Sequence, residues 1–405
     1  LEAIDCLRLI EQLMKLLIIH NFYTQLTGED LVIEDISQIL KKSGKVKVSE
    51  YYKYSKEFYR FSRIKKISTL IKGNIPFYIS SEFKEILNRE RPDIALVYNL
   101  IPLVNIWILE ELKKRDISVI SSIYNYRLLC PRGTCTLKGK FCIRCFNNSL
   151  LCSILHNCLD NFFYSLLYAY RVFLQRLFLH HIDFFISATE FRRQFFKTLF
   201  PNKKIAFLRA YVSIPEHFKN PTQQKKDYAI FAGRLVEEKG ITTILNCAEL
   251  LRDKRFMICG EGPLMAYCQN FARERNLQNI ECLGLVKRDE LLQLIRDARM
   301  LIYPSLCYEF GGVAREAMLL GTPVIALRSD ASAEWITHNK TGFLFEAGEI
   351  ESLAQIIKRL WNDENLRTSI AVQAYERIKE LNDPERYVQG LLNICQDVLA
   401  RKQNN

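Results

Sequence analysis

The chain has no run of eighteen uncharged apolar residues, so no segment reads as a membrane-crossing helix. Asp160, Arg171 and Arg176 interrupt its most apolar region. No secretory signal is visible. Residues 1–13 are charged and read as a short N-terminal extension, with Met14-Lys15 leading straight into a first strand. There is no RNP-type aromatic strand and no zinc-finger spacing with histidines, so nucleic acid is not an expected partner. Acidic residues are scarce in one half only. Residues 1–220 carry 33 Lys+Arg against 20 Asp+Glu, whereas residues 221–405 carry 24 against 25. A basic half beside a neutral half implies two domains with different partners, the basic one facing an anionic membrane surface or an anionic acceptor. Thirteen cysteines without a signal peptide imply free thiols in a reducing cytosol, with a peripheral position on the inner face of the membrane as a further reading. Hydrophobic residues make up 49% of 405, which is globular and enough for two or three domains.

Short apolar strands alternate with amphipathic helices. Leu16–Ile19, Ile94–Val97, Ser118–Ser121 and Asp183–Ile186 read as buried strands, with helices over Glu29–Lys42 and Ile106–Lys114. A second series places strands at Tyr228–Ala232, Arg255–Cys259, Ile280–Leu283, Met300–Tyr303 and Pro323–Ala326. Its helices fall at about 239–252, 263–275, 288–297, 311–320 and 349–361. Such βα series form parallel, doubly wound sheets. The expected organisation is a 1–13 extension, a Rossmann-like domain over 14–210, a linker over 211–226, a second Rossmann-like domain over 227–380 and a C-terminal helix over 381–405. Ligands of such sheets bind at the carboxyl ends of the strands.

The richest stretch is Tyr303 to Ala326. It sets Pro304-Ser305, Glu309, Gly311, Gly312 and Glu316 where a strand turns into a helix. Free backbone N–H groups and the positive end of a helix dipole suit a diphosphate there, and the carboxylates suit hydroxyls of a sugar or ribose. Arg234 and Lys239 lie over the loop that follows the second series' first strand, two cations able to clamp a diphosphate. Cys259-Gly260-Glu261-Gly262-Pro263 is a further glycine turn after a strand.

Together AGRLVEEKG (232–240), GEGP (260–263), YPS (303–305), EFGGVAREAM (309–318) and GTPVIA (321–326) resemble the GT4-type family of retaining glycosyltransferases with the GT-B fold. MKLLIIHNFYTQLTGED (14–30), RPDIALVYN (91–99) and YNYRLLCP (124–131) extend the resemblance to the first half. It implies a cleft between two Rossmann-like domains and transfer of a sugar from a nucleoside-diphosphate-sugar to a glycan or lipid-linked acceptor, with retained anomeric configuration. Arg234 and Lys239 would hold the donor diphosphate and stabilise the leaving nucleoside diphosphate. Glu316 would bind the ribose hydroxyls and Glu309 those of the donor sugar. The backbone around Gly311, with Phe310, Gly312 and Val313, would cradle the donor, and Gly233, Gly260 and Gly262 would line its loops. Gly28, after the first strand, would let the backbone approach donor and acceptor. Catalysis would need no metal or other cofactor, since cations and a helix dipole do the work of a divalent ion. The chain accordingly has no Asp-x-Asp triplet.

Three departures from the family pattern bear on turnover more than on fold. Six residues separate Glu309 from Glu316 where relatives have seven, and one residue is worth about 100° of helix rotation. Tyr124 stands where the family often has histidine in His-Asn-Tyr, and Tyr98 where it has Val-His-Asn. His20 is retained in the loop after the first strand, a position where histidine is more often structural than catalytic. These leave a second reading open, a catalytically impaired GT-B paralogue that binds nucleotide-sugar without turnover.

Two segments remain. Cys130, Cys135, Cys142 and Cys145 sit in a basic loop, and their spacing suits either a structural zinc or free thiols. Over 159–200, at helical spacing, Phe162, Leu166, Tyr170, Phe173 and Leu177 share one face, widened by Phe163, Leu167, Leu174 and Phe178, which leaves Arg171 and Gln175 outside. That face reads as a core helix or as a shallow membrane contact.

Overall fold

The structure, a computed structural model, describes residues 13–24, 27–60, 62, 78–137, 140–147, 149–218, 225–306 and 311–403. Glu309, Phe310, the extension up to residue 12 and most of the polar end of the 211–226 linker lie outside the described residues.

Two six-stranded sheets organise the chain. The first contains β1 (Lys15–Phe22), β2 (Lys47–Tyr54), β3 (Ile94–Val97), β4 (Ser118–Ile123), β5 (Phe184–Ser187) and β6 (Ile205–Phe207), in the order β2-β1-β3-β4-β5-β6. The second contains β7 (Lys226–Ala232), β8 (Phe256–Cys259), β9 (Ile280–Gly284), β10 (Ala298–Tyr303), β11 (Val324–Leu327) and β12 (Phe343–Phe345), in the order β9-β8-β7-β10-β11-β12. Every strand pair in both sheets is parallel. Helices cover both faces, which is why the central strands are continuous apolar runs rather than alternating ones. Leu16 to Ile19, Ile94 to Val97 and Met300 to Tyr303 are all buried. In each sheet the strand order reverses once, between β1 and β3 and between β7 and β10. Those switch points open the crevices in which such sheets bind ligands.

The two halves are held together by the end of the chain. Helix α6 (Pro384–Gln403; α1 to α5 are introduced below) turns Tyr387, Val388, Leu391, Leu392, Cys395 and Val398 into one stripe at helical spacing. That stripe packs into the core of the first sheet, with Leu16, Ile18, Ile33, Ile36 and Leu40. Just before it, Asn382 exchanges hydrogen bonds with Val212, receiving from its N–H at 2.9 Å and donating to its carbonyl at 2.8 Å. The buried Arg315 donates to the Ala210 carbonyl at 2.7 Å and to Asn382 Oδ1 at 3.1 Å. Burial pushes its guanidinium down to about 10, against the usual rule that arginine is charged at any accessible pH. Both chain crossings between the halves are therefore fixed by side chains of the other half.

The aromatic helix reverses the orientation expected for a core helix. Over Phe162–Leu177 the buried positions are Ser165, Ala169, Arg171, Val172 and Leu174. Phe162, Leu166, Tyr170, Phe173 and Leu177 face outwards. Arg171, expected outside, donates from Nη1 to the Pro102 carbonyl at 2.6 Å, and the small Ser165 and Ala169 let the helix lie close to the sheet layer.

Leu391→Ala should cost about 2–5 kcal/mol of stability, the usual result of emptying a fully buried leucine site. Chemical denaturation of the whole chain measures it.

Candidate functional site

The loop after β7 begins Gly233-Arg234 and ends in a short 3₁₀ turn, Glu237–Lys239, closed by Gly240 in the left-handed region at φ 71°. The loop after β8, Gly260 to Leu264, runs against it. The Leu235 N–H donates to the Glu261 carbonyl at 2.9 Å and the Leu264 N–H returns to the Leu235 carbonyl at 3.0 Å. A β-carbon on Gly260 would run into the Gly233 carbonyl, and one on Gly262 into that of Leu235. The loop after β10 closes the third side. The Leu306 N–H donates to the Glu238 carbonyl at 2.8 Å, and a β-carbon on Gly240 would strike the Pro304 carbonyl. These glycines exist because backbone meets backbone. They bring Gly233, Arg234, Lys239, Gly260 and Gly262 to one end of the sheet.

Helix α5 (Gly312–Leu319) opens on the same end. Its N-cap, Gly311, sits at φ 70° and brings no capping side chain. A β-carbon there would come within 2.7 Å of the Trp335 ring. Gly312 and Val313 occupy the first turn, whose N–H groups and dipole form a ready site for an anion. Arg234 is half exposed, with its guanidinium 3.9 Å from the buried Glu238 carboxylate. Arg132, from the cysteine loop of the first half, reaches the same carboxylate at 3.6 Å. Glu238 thus ties the two halves together directly beneath Arg234.

Glu316 lies one turn further along α5 and is buried. Arg288, the first residue of α4 (Arg288–Asp297), grips it in a bidentate pair at 2.8 and 2.9 Å. Burial opposes the guanidinium charge, but the neighbouring carboxylate outweighs it and holds Arg288 above its ordinary value. The fork uses one side of the carboxylate and leaves lone pairs for further donors. Sequence reasoning missed Arg288, which is far from any motif, although an arginine opening a helix after β9 is visible as such. Across the crevice lies Asp35 of α1 (Gly28–Ser43), close enough to feel both Arg288 and Glu316. Burial raises its carboxyl, while hydrogen bonds from Ser213 pull the other way.

The first half contributes the entrance of α1. Thr27 caps it in a reciprocal box with Asp30. Asp30 also receives His20 Nε2 at 2.8 Å, and the Asn99 N–H donates to His20 Nδ1 at 3.4 Å. His20 is fully buried and holds this loop in place, which makes it a structural histidine. Gly28 is exposed on the first turn, with open space where a β-carbon would stand. Beside it, the Tyr23 hydroxyl donates to Glu29 at 3.0 Å, Asn125 Nδ2 donates to the same carboxylate at 3.2 Å, and Arg127 covers the Tyr23 ring at 5.6 Å. Burial, then Glu29, push the Tyr23 phenol well above its ordinary value. All four residues lie in the first-half motifs 14–30 and 124–131, but the sequence did not show that the fold brings them together.

Tyr124 and Tyr98 lie together, ring centres 5.8 Å apart, and both hydrogen-bond to Tyr387 of α6. Burial holds the Tyr124 phenol well above its ordinary value, so it is neutral. The four cysteines of the basic loop, Cys130, Cys135, Cys142 and Cys145, lie close enough to feel one another's charge. Among the described residues no three His, Cys, Asp or Glu side chains are grouped to hold a metal ion. Instead the Cys135 thiol donates to Cys130. Against burial, the N–H groups of Gly133, Cys135 and Arg132 also point at Cys130, drawing its thiol down to about 6.

Gly260→Ala should lower the melting temperature clearly, a loss above about 1 kcal/mol, because the left-handed φ of 140° and the Gly233 carbonyl both oppose it. Gly28→Ala should leave it unchanged. Differential scanning calorimetry of the two variants checks the contrast.

Residues 213–377 match the family described as glycosyl transferases group 1. An uncharacterised glycosyltransferase of Methanocaldococcus jannaschii is 30% identical over 172 residues, 42% of this chain and 48% of its own length. N-acetyl-alpha-D-glucosaminyl L-malate synthase of Bacillus anthracis is 29% identical over 222 residues, 50% of this chain and 56% of its own. The chain thus spans about half the length of these curated relatives. Among solved structures, HepE of Anabaena in complex with UDP and glucose superposes with a TM-score of 0.62 at 15% identity, covering 95% of this chain and 100% of HepE. The two doubly wound sheets have the GT-B arrangement, and over residues 213–377 the chain is similar to the group 1 glycosyltransferases.

Proposed function

We propose that the protein transfers a sugar from a nucleoside-diphosphate-sugar to a glycan or lipid-linked acceptor, with retention of configuration and without a metal ion. What supports this reading is that the loop with Arg234 and Lys239 follows β7 and the uncapped entrance of α5 follows β10, the two strands that flank the switch point of the second sheet. A diphosphate there would meet two cations and a helix dipole, which stabilise the charge that develops on the leaving group. Gly233, Gly260 and Gly262 keep the surrounding loops low enough for close approach, and Gly311, Gly312 and Val313 supply backbone N–H groups. Glu316, its plane fixed by Arg288, would accept from ribose hydroxyls. Glu309 and Phe310 would complete the donor-sugar pocket. HepE carries UDP and glucose in a fold of this kind, which supports a donor of the same class.

In this reading residues 227–380 hold the donor and residues 14–210 present the acceptor, with Gly28 and the Tyr23, Glu29, Asn125 and Arg127 cluster on the acceptor side. Closure of the crevice would exclude water and limit donor hydrolysis. Eleven cysteines among the described residues are all free thiols, which supports a cytoplasmic setting. The impaired-paralogue reading draws support from Tyr124, which lies buried against Tyr387 with no positive charge to offer.

A thermal-shift panel of nucleoside diphosphates and their sugars should give a selective rise for one base and sugar. Arg234→Ala and Lys239→Ala should each abolish that rise and lower kcat/KM by roughly 10²-fold or more. Arg288→Gln should raise the KM for the donor more than it lowers kcat, since it acts through Glu316. A selective shift with neither transfer nor donor hydrolysis would establish the impaired reading instead. No shift with any nucleotide would remove both.

A further inference from the structure

Helix α3 (Phe162–Leu177) is amphipathic the wrong way round for a water-facing helix. Its buried positions are Ser165, Ala169, Val172, Leu174 and Arg171, the last only 5% exposed. Its outer stripe, Phe162, Leu166, Tyr170, Phe173 and Leu177, is 42–57% exposed throughout. Phe163 at 77% widens the stripe. Helix α2 (Leu151–Leu155) packs on α3 and adds Leu151 at 62% and Leu155 at 79%. A continuous apolar surface of this kind on a folded chain marks an interaction site.

Charge identifies the occupant. From Leu151 to Leu177 the sequence has a single carboxylate, Asp160. Residues 121–210 hold 13 Lys+Arg against 3 Asp+Glu. Arg144 and His156 pair at 2.9 Å beside the exposed end of α2. An isologous dimer through this face would set one basic half against another, which like-charge repulsion disfavours. An anionic surface is complementary. Phenylalanine, tyrosine and leucine on one helix face, with cations nearby, suit the boundary between lipid headgroups and acyl chains. Among the described residues no helix is long and apolar enough to cross a membrane, so α3 would lie in the plane of the surface.

We propose that α2 and α3 dock the protein on an anionic lipid bilayer and so bring the acceptor side of the crevice to a lipid-borne acceptor. The docking stands on the exposed face alone, whereas the acceptor clause rests on the glycosyltransferase reading. The geometry links the two. The neighbouring face of α3 places the Tyr168 ring 5.7 Å from the Arg127 guanidinium, which on its other side covers Tyr23 at 5.6 Å. Tyr23 in turn binds Glu29, the carboxylate next to Gly28. The lipid-facing helix is thus one arginine away from the entrance of α1.

Cosedimentation of the full chain with vesicles tests the docking. The wild type should partition onto phosphatidylcholine vesicles containing roughly one-third phosphatidylglycerol, weakly onto pure phosphatidylcholine, and less as salt rises. Leu155→Ser combined with Phe163→Ser should lower that partition roughly tenfold or more while the melting temperature and any nucleotide-induced shift stay unchanged. Phe163→Trp should show a blue shift in emission on the anionic vesicles, a readout that does not depend on the double variant folding. Wild type left in the supernatant, unchanged partition of the double variant, or a dimer that the double variant dissolves without any vesicle binding would each overturn the proposal. Vesicle binding with no nucleotide-induced shift would uphold the docking and sink only the acceptor clause.

Discussion

At the end of the second sheet, backbone runs against backbone with no room for a side chain. Gly260 lies on the Gly233 carbonyl, Gly262 on that of Leu235 and Gly240 on that of Pro304. Everything else at the candidate site depends on these three crossings. They pull three loops together and leave Arg234 and Lys239 above the surface, beside the start of α5. A single methyl group at any of these glycines must push a peptide unit aside, and close-packed interiors transmit such shifts rather than absorb them. Hydrogen bonds between the loops hold the same crossings in register. A site preorganised in this way loses little on binding, which favours tight recognition of a rigid, charged group such as a diphosphate.

The second constraint is the coupling of the halves. Exposed ion pairs contribute little, so the many surface pairs do not set the relative position of the sheets. The buried contacts do. Arg315 reaches the Ala210 carbonyl, Asn382 is paired with Val212, Ser213 is hydrogen-bonded to Asp35, and α6 leaves the second half to fill the core of the first. Further links between the halves run from Arg132 to Glu238 at 3.6 Å and from the Phe191 N–H to the Glu334 carboxylate at 2.8 Å.

Most of this architecture was legible in the sequence, and the exceptions share a cause. The central strands are continuous buried runs, and the glycine turns fall directly after them. The missed strands β2, β6 and β12 are all sheet edges. β2 is polar at alternate positions and mostly half exposed, while β6 and β12 span three residues each, so neither burial nor length marks them. The site motifs announced their loops but not their partners. Nothing near Glu316 in the sequence points to Arg288, and nothing near Gly28 points to Arg127, because those contacts are made by the fold. The aromatic helix shows a further limit. Periodicity grouped Phe162, Phe163, Leu166, Tyr170, Phe173 and Leu177, which are exposed, with Leu174 and Phe178, which are buried, and it set the buried Arg171 outside.

The two departures at Tyr98 and Tyr124 are better understood together than apart. Their rings are 5.8 Å apart, and each hydrogen-bonds to the same residue, Tyr387. A tyrosine at one position with a charged imidazole at the other would leave a buried cation beside apolar neighbours, a costly arrangement. Two neutral phenols and a third from α6 make instead a self-satisfied cluster in the core of the first sheet. The substitutions therefore act as one packing change that anchors the C-terminal helix. Tyr387 thereby ties α6 to the strand ends that carry Tyr98 and Tyr124.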